Sequence, residues 1–469
     1  MSSNTSSSNL TAGFVDLATY DEPEKYMYGG DNSLTYFVKK VRKSTWFTIA
    51  PTVLSTSGGN AGFGASWSWK ISRAGDYLLR TWLRVQLPAV SLSSTASLAN
   101  GWAAAQCSLR WTRNLAHNLI KEINISFNDL VAERMDSYYL DFWAAFTVPA
   151  GKRNGYNNMI GNYAELTDPL SVFGPAGAQN LPTAILNLPL PFFYARDSGI
   201  ALPTAAIPYN DMVHYITFRD LAEVLILDNF VLSLSAPCQS SYLVGGPQLP
   251  AISCDMWAEY AIVSNIERAQ MGKAPRDILI EQVQTASRQT FTPTSGVSQS
   301  FDIRFAHSIK ALFFSIRNRT NAAEQSNYTA ASPVPDPTGV VFAPELSGDV
   351  IYQTSLVYEN TARLVNMGSD YFSLIVPYYA AVSIPVETGY HMLSYTLDLV
   401  STNPMGSTNY GKLTNVSLQF TPSQDAVDAY AGGNTGAGAP VAQSYETVIC
   451  GLNHNIVRIS GGALGFPIL

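Results

Sequence analysis

Residues 406–412, with the sequence GSTNYGK, match the first seven positions of a phosphate-binding loop. In such a loop the backbone amides cradle phosphates, the lysine contacts them, and a Ser or Thr at the eighth position binds magnesium. Here the eighth position is Leu413, which has no hydroxyl. Residues 413–420 then alternate as a strand, where a phosphate loop requires a helix. We therefore predict a turn between two strands and no nucleotide site.

Other catalytic constellations are equally weak. The histidines stand singly, without the spacing of a metal site, at His117, His214, His307, His391 and His454. The chain contains no Gly-x-Ser-x-Gly nucleophile motif. A pair of glycosidase carboxylates could lie among the 35 acidic residues, since geometry defines such a pair, but no sequence feature indicates one. The sequence predicts no catalytic, cofactor-binding or metal-binding residue, no cofactor, and no enzyme.

The cysteines favour free thiols. Cys107, Cys238, Cys254 and Cys450 show no Cys-x-x-Cys spacing and are too few to cross-link 469 residues. We expect buried free thiols rather than a disulfide between Cys238 and Cys254. The N-terminus, MSSNTSSSNL, has no apolar signal-peptide core, which predicts synthesis in a reducing compartment. The six Asn-x-Ser/Thr sequons are then expected to be chance matches.

Charge is scarce in this chain. Only 13% of residues are charged, against about 25% in an average soluble protein. The hydrophobic share of 46% excludes a disordered chain, and the net charge of −7 leaves no basic excess for a general nucleic-acid surface. The longest uncharged stretch, residues 169–195, contains five prolines, which excludes a membrane-spanning helix there.

The apolar residues recur mostly with period two, which predicts half-buried strands. The clearest alternating segments are residues 79–87, 123–128, 393–399 and 416–420. Helical spacing appears only in residues 129–146 and 264–271. Many short strands joined by long uncharged loops are typical of sandwiches and jelly rolls. A boundary between two β-rich halves is expected near residues 220–230.

Several segments resemble one viral family over nearly the whole chain. They include GFVDLATYD from Gly13, SRAGDYLL from Ser72, RWTRN from Arg110, LPLPFFYARDSG from Leu188, DILIEQVQ from Asp277, LVYENT from Leu356 and IVRISGGALGFPIL from Ile456. Together they are similar to the major capsid proteins of iridoviruses, within the large nucleocytoplasmic DNA viruses.

The resemblance implies an all-β tandem double jelly roll, that is, two eight-stranded antiparallel sandwiches with a few short helices in the loops. It implies an N-terminal arm over residues 1–30, a first jelly roll over 31–222 and a second over 223–469 with a C-terminal tail. The implied function is structural: homotrimeric, pseudo-hexagonal capsomers that tile an icosahedral shell around an inner membrane and a double-stranded DNA core.

The implied partners are the other copies of the trimer, neighbouring capsomers, penton and minor capsid proteins, and the inner membrane through minor proteins. No sequence-specific nucleic-acid contact is expected. The implied location is the virion capsid, made and assembled in the host cytoplasm. Residues 1–10 and 459–469 are candidates for contacts with neighbouring subunits. The charges are expected to concentrate on outer loops and capsomer rims, away from the trimer interface.

Two alternatives remain open from the residues alone. A glycan-binding or host-attachment β-sandwich would use the aromatic residues and Asn-rich loops. A β-sandwich glycosidase would require a close pair of carboxylates.

Overall fold

The computed structural model describes residues 5–94, 98, 101–168, 179–232, 234–246, 248–273, 275–332, 348–432 and 442–467. The chain divides into two compact units, Met1–Trp46 and Phe47–Leu469. The larger unit carries the described strands. In the described part of the chain, no helix is both long and apolar enough to cross a membrane.

The smaller unit contains two helices that the periodicity did not predict, α1 (Thr5–Ala18) and α2 (Glu22–Met27). Helix α2 begins after Asp21, whose backbone N–H donates to Glu24 Oε2 at 3.2 Å. A carboxylate at this position satisfies a backbone donor that has no partner within the helix, so the sequence DEPE marks the start of α2.

The larger unit begins with strands that all lie before residue 264. In chain order these are β1 (Phe47–Val53), β2 (Ser55–Gly59), β3 (Ser66–Lys70), β4 (Tyr77–Leu87), β5 (Val90–Ser91), β6 (Cys107–Trp111), β7 (Ile120–Phe127), β8 (Leu130–Asp136), β9 (Asn180–Leu181), β10 (Ala184–Leu190), β11 (Met212–Phe218), β12 (Leu225–Asn229), β13 (Leu234–Pro237) and β14 (Ser253–Val263). The helices among them are α3 (Leu115–Leu119), α4 (Ser137–Thr147), α5 (Ala150–Ile160) and α6 (Ala164–Thr167).

Helix α7 (Asn265–Met271) leads into the second group of strands. These are β15 (Arg276–Thr285), β16 (Thr290–Phe291), β17 (Gln299–Ile303), β18 (Ser308–Asn318), β19 (Ile351–Tyr358), β20 (Thr361–Gly368), β21 (His391–Ser394), β22 (Thr408–Asn409), β23 (Val416–Pro422), β24 (Tyr445–Ser460) and β25 (Ala463–Gly465). A π-helical turn, Tyr371–Ile375, runs into α8 (Val376–Ala380), and α9 (Gln424–Tyr430) follows β23.

The two groups of strands form sandwiches with the same strand order. The first pairs a β1-β14-β4-β10 sheet with a β2-β3-β11-β7-β8 sheet, and a smaller β13-β12-β6 sheet accompanies them. The second pairs a β15-β24-β18-β21 sheet with a β17-β23-β19-β20 sheet. In both groups the first strand lies beside the last long strand, and strands β4 and β18 occupy equivalent third positions. The molecule is therefore a tandem double jelly roll, as predicted.

Strands also fall on both sides of the predicted division at residues 222 and 223. Strand β12 pairs with β6, and β14 pairs with both β1 and β4, so these sheets contain residues from each side of that division. The exact domain limits stay a prediction, and this pairing favours a later boundary.

Most of the segments with clear periodicity form the predicted elements. Strands β4, β7 and β23 contain the alternating residues 79–87, 123–127 and 416–420, and Ser264 immediately precedes α7. The prediction for residues 393–399 is wrong beyond Ser394, where the strand ends. There Ser394 Oγ accepts the backbone N–H of Thr396, so a local turn replaces the strand ladder.

The predicted helix over residues 129–146 is wrong in its first half, which forms strand β8. Asn128 and Asp129 both have positive φ, 49° and 65°, and they close a two-residue hairpin between β7 and β8. The helix begins at Ser137, where the Asp136 carboxylate accepts the Tyr139 N–H at 2.9 Å. The apolar residues of β8 mimic helical spacing because they lead directly into the real helix.

Two hydrophobic cores divide the larger unit unequally. The second core lies inside the second sandwich and includes Leu312 and Phe314 of β18. Their neighbours on the opposite face of the same strand, Ala311 and Phe313, belong to the first core instead. The outer face of the second sandwich is therefore packed against the first jelly roll. Phe313 contacts Tyr139, Phe142 and Phe146 of α4, with ring centroids 5.6–6.2 Å apart.

Buried charges cross this same contact. Arg110 of β6 is fully buried and donates through Nε to Asp228 at 2.6 Å and through Nη1 to Glu324 at 2.5 Å. Glu324 follows β18, so the second pair joins the two jelly rolls. We call the set of buried polar contacts between the rolls the seam.

The seam continues on α4. The buried Asp141 carboxylate accepts hydrogen bonds from Ser326 Oγ at 2.6 Å and from Tyr328 at 2.9 Å, both in the segment that follows β18. On its own side Asp141 lies 2.7 Å from Nδ1 of His117. Both oxygens of the Asp141 carboxylate thus have a hydrogen-bond partner, which offsets the cost of burying the charge.

A third part of the seam surrounds Arg196. Its Nη1 donates to Glu281 of β15 at 2.8 Å, and Lys310 of β18 donates to the same carboxylate at 2.5 Å. Glu133 of β8 lies 3.7 Å from Arg196. Burial raises the pKa of Glu133 to about 7, although Arg196 opposes the increase.

Replacing Arg110 with Met is expected to lower the free energy of unfolding by about 3–5 kcal/mol, because two buried carboxylates lose their cation. The control is Arg458→Met, which breaks a half-exposed pair with Asp277 and should cost far less, because water screens such a pair. Urea unfolding at fixed protein concentration measures both. Equal losses in the two variants would contradict a structural role for the seam.

The raised pKa of Glu133 also predicts a pH dependence. A carboxyl group with a folded pKa near 7 and an unfolded value of 4.5 contributes stability below pH 4.5 that is lost as the pH rises through 7. Between pH 5 and pH 8 the wild type should lose about 2.5 kcal/mol more than Glu133→Gln, which cannot ionise. Parallel urea titrations at both pH values test this difference; matching slopes in the two proteins would refute it.

Candidate assembly surfaces

The phosphate-loop pattern lies in a turn between strands, as predicted. Residues 408–409 form β22, Tyr410–Lys412 form a single 3₁₀ turn, and strand β23 follows from Val416. The Tyr410 hydroxyl lies 2.7 Å from that of Tyr395, so this turn is tied into the second roll. In the structure this segment therefore packs against the second roll.

Three of the histidines, His117, His214 and His391, are buried and contact side chains that have no catalytic arrangement. His117 Nε2 lies 2.7 Å from the Tyr156 hydroxyl, and Asp141 holds its other nitrogen. Nε2 of His391 lies 2.8 Å from Asp349. Burial lowers the pKa of His214 to about 3, which keeps that ring neutral. Among the described residues no group of three His, Cys, Asp or Glu side chains could hold a metal ion.

The cysteines and two sequons are inaccessible. All four cysteines are buried and free, as predicted, and Cys238 forms no disulfide with Cys254. The sequon residues Asn318 and Asn327 are buried as well. Asn318 Nδ2 donates to Gln443 at 2.7 Å, so this amide is engaged inside the fold.

An apolar groove lies on the outer face of the first sandwich. Four strands place one residue each in a single lateral row, because Val53 pairs with Trp257, Trp257 with Trp82, and Trp82 with Pro189. The two tryptophan rings stack with centroids 5.8 Å apart. A cavity of about 1030 Å³ adjoins the row; its walls include Arg80, Trp82, Trp143, Tyr156, Met159 and Pro189. We call this cavity and the adjoining row the groove.

Ion pairs flank the row on both sides. Arg80 lies 2.6 Å from Glu259, and Arg84 lies 3.9 Å from Asp255, each across the β4–β14 ladder. A solvated aromatic strip bordered by charges is typical of a protein interface, in which Trp, Tyr and Arg are enriched. The sequence alternation predicted the strands, but it could not predict this row, because its members come from four distant segments.

A second surface feature lies in the second roll, where residues 371–380 form what we call the ridge. One side of the ridge is anchored, because Phe372 is buried and meets Phe314 edge to face at 5.3 Å. The other side is open: Tyr378 and Tyr379 are 69% and 78% exposed, and Leu374 is 51% exposed. Among the residues that the structure describes, three large apolar side chains on one short helical segment are therefore exposed.

Comparison with known proteins agrees with this architecture. A family model described as the major capsid protein N-terminus matches residues 35–263, and one described as the large eukaryotic DNA virus major capsid protein matches residues 267–465. Among solved structures, the quasi-atomic model of the PBCV-1 virus capsid has a TM-score of 0.69 at 20% identity, covering 93% of this chain and 100% of that chain. The Faustovirus major capsid protein has a TM-score of 0.67 at 11% identity, covering 92% and 93%.

Curated relatives share much more sequence. The major capsid protein of Costelytra zealandica iridescent virus is 57% identical over 99% of both chains. That of Invertebrate iridescent virus 3 is 54% identical over 99% of this chain and 100% of its own, and that of Frog virus 3 (isolate Goorha) is 42% identical over the full length of both. These relatives have a structural role and not an enzymatic one. Identity of this extent from end to end, on a matched pair of jelly rolls, shows that the chain belongs to the family of iridovirus major capsid proteins.

Proposed function

We propose that three copies of this chain form a homotrimeric, pseudo-hexagonal capsomer. The observation that carries the proposal is the shared strand order of the two sandwiches, β1-β14-β4-β10 and β15-β24-β18-β21. Two similar rolls in each chain allow three chains to present six similar units around one axis. Such a ring uses heterologous contacts, which close at a fixed number of subunits.

Membership of this family means that the chain is a capsid component of the virion. We further propose that its capsomers tile an icosahedral shell around an inner membrane and a double-stranded DNA core. The proposed partners are neighbouring capsomers, penton and minor capsid proteins, with minor proteins linking the shell to the membrane. Assembly in the host cytoplasm is part of the same proposal.

We propose that the first jelly roll extends to Val263 rather than to residue 222. The pairing of β14 with β1 and β4 supports this limit, because removing β14 would open the first sheet at its centre. The second roll then runs from Arg276, with α7 between the two. We also propose that the arm comprises the whole smaller unit, residues 1–46, where the sequence predicted residues 1–30; the division of the chain into two compact units supports this limit.

The mass in solution tests the capsomer. Purified full-length protein is expected to have three times the chain mass of 50.9 kDa by light scattering coupled to size exclusion. The mass should not grow when the concentration is raised tenfold, since a closed ring leaves no open contact. A monomer, a dimer or a mass that grows with concentration would overturn the homotrimer.

The C-terminal tail gives a second test. Strand β25 pairs with β24, and Leu464 exchanges two hydrogen bonds with Asn210 of the first roll, at 2.9 and 3.2 Å. Deleting residues 461–469 removes these contacts and is expected to lower both the melting temperature and the trimer fraction. Asn210→Ala, which removes only the two hydrogen bonds, should lower the melting temperature less. An unchanged trimer mass in the deletion variant would exclude a role of the tail in assembly.

A further inference from the structure

The contact between the two rolls inside one chain has a defined pattern. Helix α4 directly follows β8, the last strand of its sheet, and lies on the outer face of the other roll. Its Tyr139, Phe142 and Phe146 rings pack on Phe313, which is in β18, the third strand of the β15-β24-β18-β21 sheet. A helix after the final strand of one sheet thus covers the outer face of the next roll.

The second roll contains the same helix in the equivalent place. The ridge follows β20, which ends its sheet as β8 ends the equivalent sheet of the first roll. Its outward side chains Leu374, Tyr378 and Tyr379 are 51%, 69% and 78% exposed, so no described residue of this chain covers them. The ridge therefore corresponds to α4. Among the described residues, however, no aromatic side chain packs on its outward face as Phe313 packs on α4.

The first roll contains the missing surface. Strand β4 is equivalent to β18, and its outward residue Trp82 lies in the groove. The outward side of β18 is buried under α4, whereas the outward side of β4 retains an open cavity of about 1030 Å³. In the part of the chain that the structure describes, the ridge is thus an uncovered helical segment, and the groove is an open part of a sheet face.

We infer that the ridge of one copy packs into the groove of the next copy, and so repeats between chains the contact that α4 makes within a chain. This inference rests on the proposed homotrimer and names the surfaces that form it. In a closed ring of six rolls, each helix that follows a final strand would cover the outer sheet face of the next roll, so no ridge and no groove would stay exposed. The interface is heterologous, since two different patches meet.

The charges of the two surfaces are compatible. Residues 364–411, which contain the ridge, include three acidic residues and no Lys or Arg. The groove contains Arg80 and Lys152 against the single acid Glu259. Two of these charges are already paired within the chain, Glu387 with Arg113 and Arg80 with Glu259, which leaves Asp370 and Asp398 of the ridge segment and Lys152 of the groove, charges of opposite sign. This favours a second copy of the chain as the occupant of the groove.

Photo-crosslinking of the full-length protein tests the pairing directly. Tyr379 is replaced by p-benzoylphenylalanine, and the variant is assembled from a mixture of ¹⁴N- and ¹⁵N-labelled copies. After irradiation, mixed-isotope crosslinked peptides should join position 379 to residues 140–159 or 187–191 of the other copy. The matched control carries the probe at Tyr352, which is 61% exposed on β19. The control should give no groove adduct.

A pair of substitutions gives an independent readout. Tyr378→Lys with Tyr379→Lys places two charges in the apolar contact and should weaken trimer formation at least tenfold. Tyr352→Lys should leave it unchanged, and the far-ultraviolet circular dichroism spectra of all variants should match that of the unmodified protein, because the altered residues are exposed. A normal trimer that crosslinks elsewhere, or one that tolerates the double substitution, would overturn the ridge–groove contact and leave the capsomer intact. Failure of the unmodified protein to form any trimer would overturn both.

Discussion

The packing of α4 on the outer face of β18 is the contact on which the rest of the larger unit depends. An isolated antiparallel sandwich keeps its outer faces polar, because water covers them. Here Phe313 points away from the core of its own sandwich and into the core of the other roll. The second roll therefore cannot be exposed alone without uncovering a large apolar surface, and the two rolls form one structure.

This contact also changes the explanation of the low charge content. Scarce charges were expected to lie on loops and rims, but the structure buries a subset inside the chain. Among the described residues, the buried charged side chains are Asp76, Arg110, Glu133, Asp141, Arg219, Asp228, Glu281, Lys310, Arg317 and Glu324. Several of them belong to the seam, where Arg110 pairs with Glu324 and Asp141 accepts hydrogen bonds from Ser326 and Tyr328 of the other roll. Since an unpaired buried charge is very costly, the seam permits few relative orientations of the rolls. How the charges distribute around a trimer stays a prediction.

The sequence predicted the strands and the fold class well, and the reason is local. Alternation in residues 79–87 and 416–420 records one buried face and one solvated face, which is a property of the strand itself. Strand β18 is different, because the sequence SIKALFFSIRN is covered on both faces and loses its alternation. The hairpin at Asn128 was also missed, since its two turn residues lack the glycine that usually marks such a turn. The two rolls share their strand order but have no recognisable sequence repeat, so their duplication could not be derived from the sequence.

The groove shows why assembly surfaces are harder to predict than folds. Val53, Trp82, Pro189 and Trp257 become neighbours only through the register of four strands, and nothing in their local sequence indicates the row. Their chemistry nevertheless differs from that of the seam for a physical reason. The seam forms during folding of one chain, so it can bury ions that never meet water again. A surface that binds another chain is exposed to water before it binds, and half-buried tryptophans bordered by ion pairs are compatible with both states.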